Sequence, residues 1–130
     1  MIGVDTNVLV RLLTRDDEAQ FRKALKLFQQ EEIFIPKTVF LETEWVLRYA
    51  YDFTPAQIAD ALEKLAGLSQ VTTESVSQVA QALAGIREGL DFADALHLVS
   101  ATDQVSSFAT FDQKLAKNAA SPDCPIRLIK

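Results

Sequence analysis

Four acids stand where a carboxylate needs a reason: Asp5, Glu42, Asp94 and Asp112. Asp5 closes the apolar stretch Ile2, Gly3, Val4, and a helix begins over it with Thr6 and Asn7. Open α/β sheets place their ligands at such a point, beyond the carboxyl end of a strand. Asp112 follows SFATF in the same way, with the Thr110 hydroxyl two residues before it. Glu42 comes three residues after Val39 and four before Val46, a spacing that puts it on the inward face of a helix. A carboxylate there is costly unless it is paired or holds a metal. Its neighbour Glu44 is read as facing solvent. Asp94 lies in GLDFADALHL, near the start of a helix whose face continues with Leu98 and Ala101.

Each acid also has a plainer use. Asp5 and Asp112 suit helix N-termini, Asp94 suits a capping partner of Asp91, and Glu42 suits an ion pair with Arg48 or Arg11. Their shared geography favours a joint role, because all four belong near strand ends or on helix faces turned to the sheet. Four carboxylates in one pocket repel, and some stay protonated unless a cation is present. Oxygen-only ligation suits a hard ion, Mg²⁺ or Mn²⁺, better than zinc. Such ions activate water and neutralise a phosphoryl group in transfer, so the chemistry indicated is hydrolysis of a phosphodiester or phosphomonoester.

The elements that must hold these acids are read from hydrophobic period. Ile2–Val4, Ile33–Ile35, Val71–Thr73, Ser107–Phe111 and Ile126–Ile129 read as short strands. The first helix has Val8, Leu9, Leu12 and Leu13 on one side, and Asp16–Gln30 repeats Phe21, Ala24, Leu25 and Phe28 at helical spacing. Thr38–Tyr51 places Val39, Thr43, Val46, Leu47 and Ala50 on one face. Thr54-Pro55 opens a further helix in the favoured cap-then-Pro order, closed by Gly67. Ser75–Glu88, with Val76, Val79, Ala80, Leu83 and Ile86 inward, Asp91–Thr102 and Asp112–Ala119 complete the helices. Strands alternating with helices imply parallel pairing, hence an α/β fold: a three-layer helix–sheet–helix sandwich on a central parallel sheet of four to five strands.

Composition sets the remaining bounds. The 130 residues are expected to form one domain, 1–130, with 48% apolar and 24% charged residues. No apolar run approaches the ~20 residues of a membrane span, and Cys124 is alone. With no signal-peptide pattern either, the expected setting is cytoplasmic. The net charge of −5 speaks against nucleic acid only if the acids are spread evenly. With four of them gathered round a metal, the rest of the chain is close to neutral.

The segments VDTNVLVRLL, VFLETEWVLRYAY, DFADALHLVSA and ATFDQKL, in this order and spacing, resemble the PIN domain. Within that superfamily they resemble the VapC-type toxins of bacterial toxin–antitoxin pairs. The resemblance implies an acidic quartet of Asp5, Glu42, Asp94 and Asp112, supported by Thr6, Asn7 and Thr110. It further implies a Mg²⁺-dependent endoribonuclease, with Mn²⁺ able to substitute, that cuts single-stranded RNA and leaves a 5′-phosphate. The partners implied are RNA, with tRNA or ribosomal RNA as substrates, a VapB-like antitoxin and a second copy in a homodimer. No membrane is implied.

Other residues are weighed against this reading. His97, one turn after Asp94, is assigned packing or support, because oxygen-ligated metals generate their own hydroxide. Trp45 and Tyr49 are assigned to core or dimer packing. Arg11, Arg48 and Lys114, with Arg15 and Lys117, are the basic residues nearest the acids in sequence and the candidates for RNA phosphate contact. An aspartyl-phosphate phosphatase needs a second Asp where Asn7 stands, and a receiver domain needs an acid pair and a late-strand Lys that have no place here. The remaining rival is a catalytically silent PIN-like module that binds RNA or protein.

Overall fold

Short β-branched runs build the sheets, and amphipathic helices return the chain from each strand to the next. The computed structural model describes residues 1–119 and 124–130. In order the elements are β1 (Ile2–Gly3), α1 (Thr6–Thr14), α2 (Glu18–Gln30), β2 (Ile33–Ile35), α3 (Lys37–Ala50), α4 (Pro55–Ala66) and β3 (Val71–Thr73). There follow α5 (Val76–Arg87), α6 (Phe92–Ala101), β4 (Phe108–Thr110), α7 (Gln113–Asn118) and β5 (Ile126–Leu128). The α/β class and the parallel pairing expected from the sequence are present. The five strands are divided, however, into a sheet ordered β1-β2-β3 and a separate pair β4-β5. Ile33 pairs with both Ile2 and Val71, and Phe108 pairs with Ile126. With only two residues, β1 offers few backbone groups along its free edge.

Capping chemistry sets where the helices begin. Thr54 Oγ accepts from Gln57 N (3.2 Å) and Gln57 Oε1 accepts from Thr54 N (2.9 Å), a complete capping box with Pro55 in the first turn. Helix α1 ends at Arg15, which has a left-handed backbone (φ 56°) and whose guanidinium meets the Glu18 carboxylate at 2.9 Å and lies over the Phe21 ring.

The core is continuous from the three-stranded sheet through the helices. Ile33 and Ile35 are fully buried and meet Leu9, Phe40, Leu47, Ile58, Leu62, Val79 and Leu83. Helices α5 and α6 come together at Gly85. A Cβ there would lie 3.2 Å from Leu90 Cδ1 and 3.3 Å from Ala95 Cβ, and the latter is fixed by its own helix. Gly85→Val is therefore expected to destabilise the fold by about 1–3 kcal/mol, as overpacking does. Urea unfolding checks this, and an unchanged midpoint would contradict the close approach.

Helix α3 corrects the expected face. Its buried residues are Phe40, Thr43, Glu44 and Leu47: Thr43 and Leu47 are inward as expected, while Phe40 and Glu44 take the place of Val39, Val46 and Ala50. Seating Phe40 rather than Val39 in the core rotates the buried face by less than the roughly 100° of one residue step. Glu42 is thereby carried out to solvent, and Glu44, expected outside, is brought in at 3% exposure. Trp45 and Tyr49 are not core residues: they are 58% and 60% exposed and meet each other in a tilted pair with centroids 5.1 Å apart. Val76 and Ala80, expected inward on α5, are exposed as well, and Ala82 and Gly85 take the buried positions.

Candidate active site

The strand-end acids are both helix caps. Asp5 is exposed and accepts from Val8 N at 3.3 Å, opening α1; Thr6 beside it is buried and Asn7 exposed. Asp112 accepts from Lys114 N (2.9 Å) and Leu115 N (3.1 Å), opening α7. Its own N–H donates to the Thr110 hydroxyl at 3.0 Å, so Thr110 fixes the turn that presents the acid. A cap satisfies the helix N–H groups with one oxygen and leaves the other available. Capping and ligation are thus compatible at both positions.

Asp94 sits in the first turn of α6, half-buried. Asp91 caps this helix by accepting the Asp94 N–H at 3.0 Å. Burial holds the Asp94 carboxyl above the ordinary aspartate range; the nearby Asp91 and Asp112 charges add to this, and His97 acts against it. His97 itself is exposed. Asp91, Asp94 and Asp112 line one cavity of about 250 Å³ together with Lys114 and Asn118. An adjoining cavity of about 260 Å³ shares Asp91 and Lys114 and is bounded by Glu44 and Arg48.

The structure therefore brings Asp94 and Asp112 together and adds Asp91, which the sequence suggests only as a cap. Asp5 and Glu42 are not among the residues lining that cavity. Asp5 follows β1 and Asp112 follows β4, so the two strand-end acids belong to different sheets. Among the described residues, no three His, Cys, Asp or Glu side chains stand close enough to share one ion. By donor type the acids fit a hard divalent cation, whose charge would favour the ionised form of the half-buried Asp94 carboxyl. By position, Asp94 and Asp112 fit, since they meet on one cavity wall.

The basic candidates divide. Arg11 is committed within the fold: Nη1 meets Asp16 at 3.0 Å and Tyr51 Oη at 3.4 Å, and Nε meets Gln20. Arg48 is likewise engaged, with Glu44 and Asp91. Lys114 is exposed on the wall of the acidic cavity. Glu44 is the residue that sequence reasoning missed. Its carboxyl is pushed up chiefly by burial and further by Asp91, and Arg48 opposes both. The available signal was Arg48 four residues on, the spacing of a helical ion pair.

The family model described as PIN domain matches residues 2–121, and the chain belongs to that family. Among solved structures, it is similar to one described as VapBC2 from Rickettsia felis bound to a DNA fragment from their promoter. The identity is 14%, with 98% of each chain covered and a TM-score of 0.40. No curated protein matches. Among the described residues, no helix is long and apolar enough to cross a membrane.

Proposed function

We propose that this chain is a Mg²⁺- or Mn²⁺-dependent endoribonuclease of the VapC type, the toxin of a bacterial toxin–antitoxin pair. It would cut single-stranded or loop regions of RNA such as tRNA or rRNA. The observation that carries this reading is the meeting of Asp94 and Asp112 on one cavity, in a chain of the PIN-domain family. Asp5, Asp94 and Asp112 would hold the ion directly or through water, with Glu42 as a further ligand or as orienter of the attacking water. When bound, a hard divalent ion supplies an activated nucleophile and neutralises charge on the phosphoryl group. Thr110 holds the Asp112 turn in place, and Thr6 and Asn7 shape the rim beside Asp5. Lys114, on the wall of that cavity, would meet a backbone phosphate as it approaches the acids. A VapB-like antitoxin, a homodimer and a cytoplasmic setting belong to the same reading.

The test is incubation of the purified chain with a mixed RNA pool, followed by sequencing of 5′-phosphate ends. Discrete new ends are expected with Mn²⁺ and none in EDTA. RNA that is bound but left intact with Mn²⁺ would favour the silent binding module. Cleavage that persists in EDTA would remove the metal from the proposal.

A further inference from the structure

Three side chains link the middle of α3 to the start of α6. Glu44 is 3% exposed, with its carboxylate against Arg48: Oε2 lies 3.0 Å from Nε, and Oε1 accepts from Nη2 at 3.3 Å. The Nε contact is out of line for a hydrogen bond, so this pairing is held by charge more than by direction. The Arg48 guanidinium also lies over the Tyr49 ring, with Cζ 4.7 Å from the centroid. From there Nη1 donates to Asp91 Oδ2 at 3.3 Å. The other oxygen of Asp91, Oδ1, accepts the Asp94 N–H that begins α6.

Stability alone explains this arrangement poorly. A buried ion pair recovers little more than the cost of taking its charges out of water, and an apolar pair of the same size often does as well. The pair Glu44–Arg48 is buried at one end, and its other end reaches the acidic cavity through Asp91. What it supplies is a fixed direction. Asp91 must accept two hydrogen bonds at once, one from each helix, and so has one orientation.

We propose that Arg48, braced by Glu44, is a positioning residue: it grips Asp91 and thereby sets the α6 N-terminus and the placement of Asp94 on the cavity wall. The inference rests on the nuclease reading for its consequence, and on the α3–α6 geometry alone for its structural part. Arg48 is then unavailable as an RNA contact. Partners of this kind, one layer behind the acting group, change activity by about 10–100-fold when removed.

Two variants test it. Arg48→Met alone would leave the buried Glu44 charge unpaired, so the main variant is the double change Glu44→Gln with Arg48→Met, which removes both charges. Arg48→Lys serves as the conservative rescue, since an ammonium can still reach one carboxylate. In the folded double variant the Asp94 amide is expected to exchange with solvent about fivefold faster or more, as when a cap is lost. RNA turnover kcat is expected to fall about 10–100-fold with KM changed much less, and Arg48→Lys to recover part of both. An unchanged Asp94 amide in the folded double variant overturns the proposal, whether or not the wild type cuts RNA. Faster exchange with unchanged kcat in an active enzyme also overturns it, because Arg48 would then brace the helix without setting the site. A wild-type chain that cuts no RNA defeats the nuclease reading instead, and the amide measurement still decides the link from Arg48 to Asp94.

Discussion

Asp5→Asn is expected to lower RNA cleavage at least about 100-fold, since even supporting residues behind a metal ligand cost up to that much. The melting temperature is expected to stay within about 2 °C, because Asn caps a helix as well as Asp does. The Val8 N–H needs only one oxygen acceptor, and an amide keeps one. What the amide lacks is the charge. Asp112→Asn should behave alike, with its bonds to Lys114 N and Leu115 N retained. Asp5→Ala removes charge and cap together and should cost about 1 kcal/mol of stability as well. Cleavage assays beside thermal melts separate the two effects. If Asp5→Asn cut RNA at the wild-type rate, Asp5 would be a cap and nothing more.

The second large effect concerns stability. Phe40 is fully buried at the meeting of α3 with the sheet, among Leu9, Ile35 and Leu47 in the core cluster. Phe40→Ala is expected to cost about 3–5 kcal/mol, the transfer of a phenyl ring plus the cavity it leaves. That is a large share of the total stability of an ordinary domain, so the variant should melt far earlier or fail to fold at 37 °C. By contrast Val39→Ala, on the half-buried flank of the same helix, should cost much less. Urea unfolding of the two side by side checks which residue anchors α3. Equal losses would mean that the helix is not seated on Phe40.

That anchor also explains what could and could not be read beforehand. Asp5 and Asp112 were legible because a strand end followed by a helix start is a local signal, carried by a handful of adjacent residues. The pairing of Thr54 with Pro55 and Gln57 was local in the same way and forms as the sequence implies. The face of α3 was not legible. Val39 and Phe40 both begin plausible apolar stripes, and only the volume to be filled between sheet and helix decides for the larger ring. That choice exchanges the environments of Glu42 and Glu44. Counting apolar spacing misses it, whereas weighing side-chain volume and the Glu44–Arg48 spacing would have found it. The division of the strands was equally hidden, since parallel partners are set by contacts far apart along the chain. The acids that line one cavity are Asp91, Asp94 and Asp112, and two of these belong to the expected quartet.

The separate β4–β5 pair has a consequence for how activity can be lost. Asp112 stands at the end of a strand that answers to a small sheet and one six-residue helix, while Asp94 is anchored through α6 to the main core. Regions with few buried partners open at lower free energy than the core they adjoin. The two acids that meet at the cavity thus belong to parts of the molecule with different endurance. Under mounting denaturant the limb that carries Asp112 is therefore expected to open first, leaving the centre folded with Asp94 parted from Asp112.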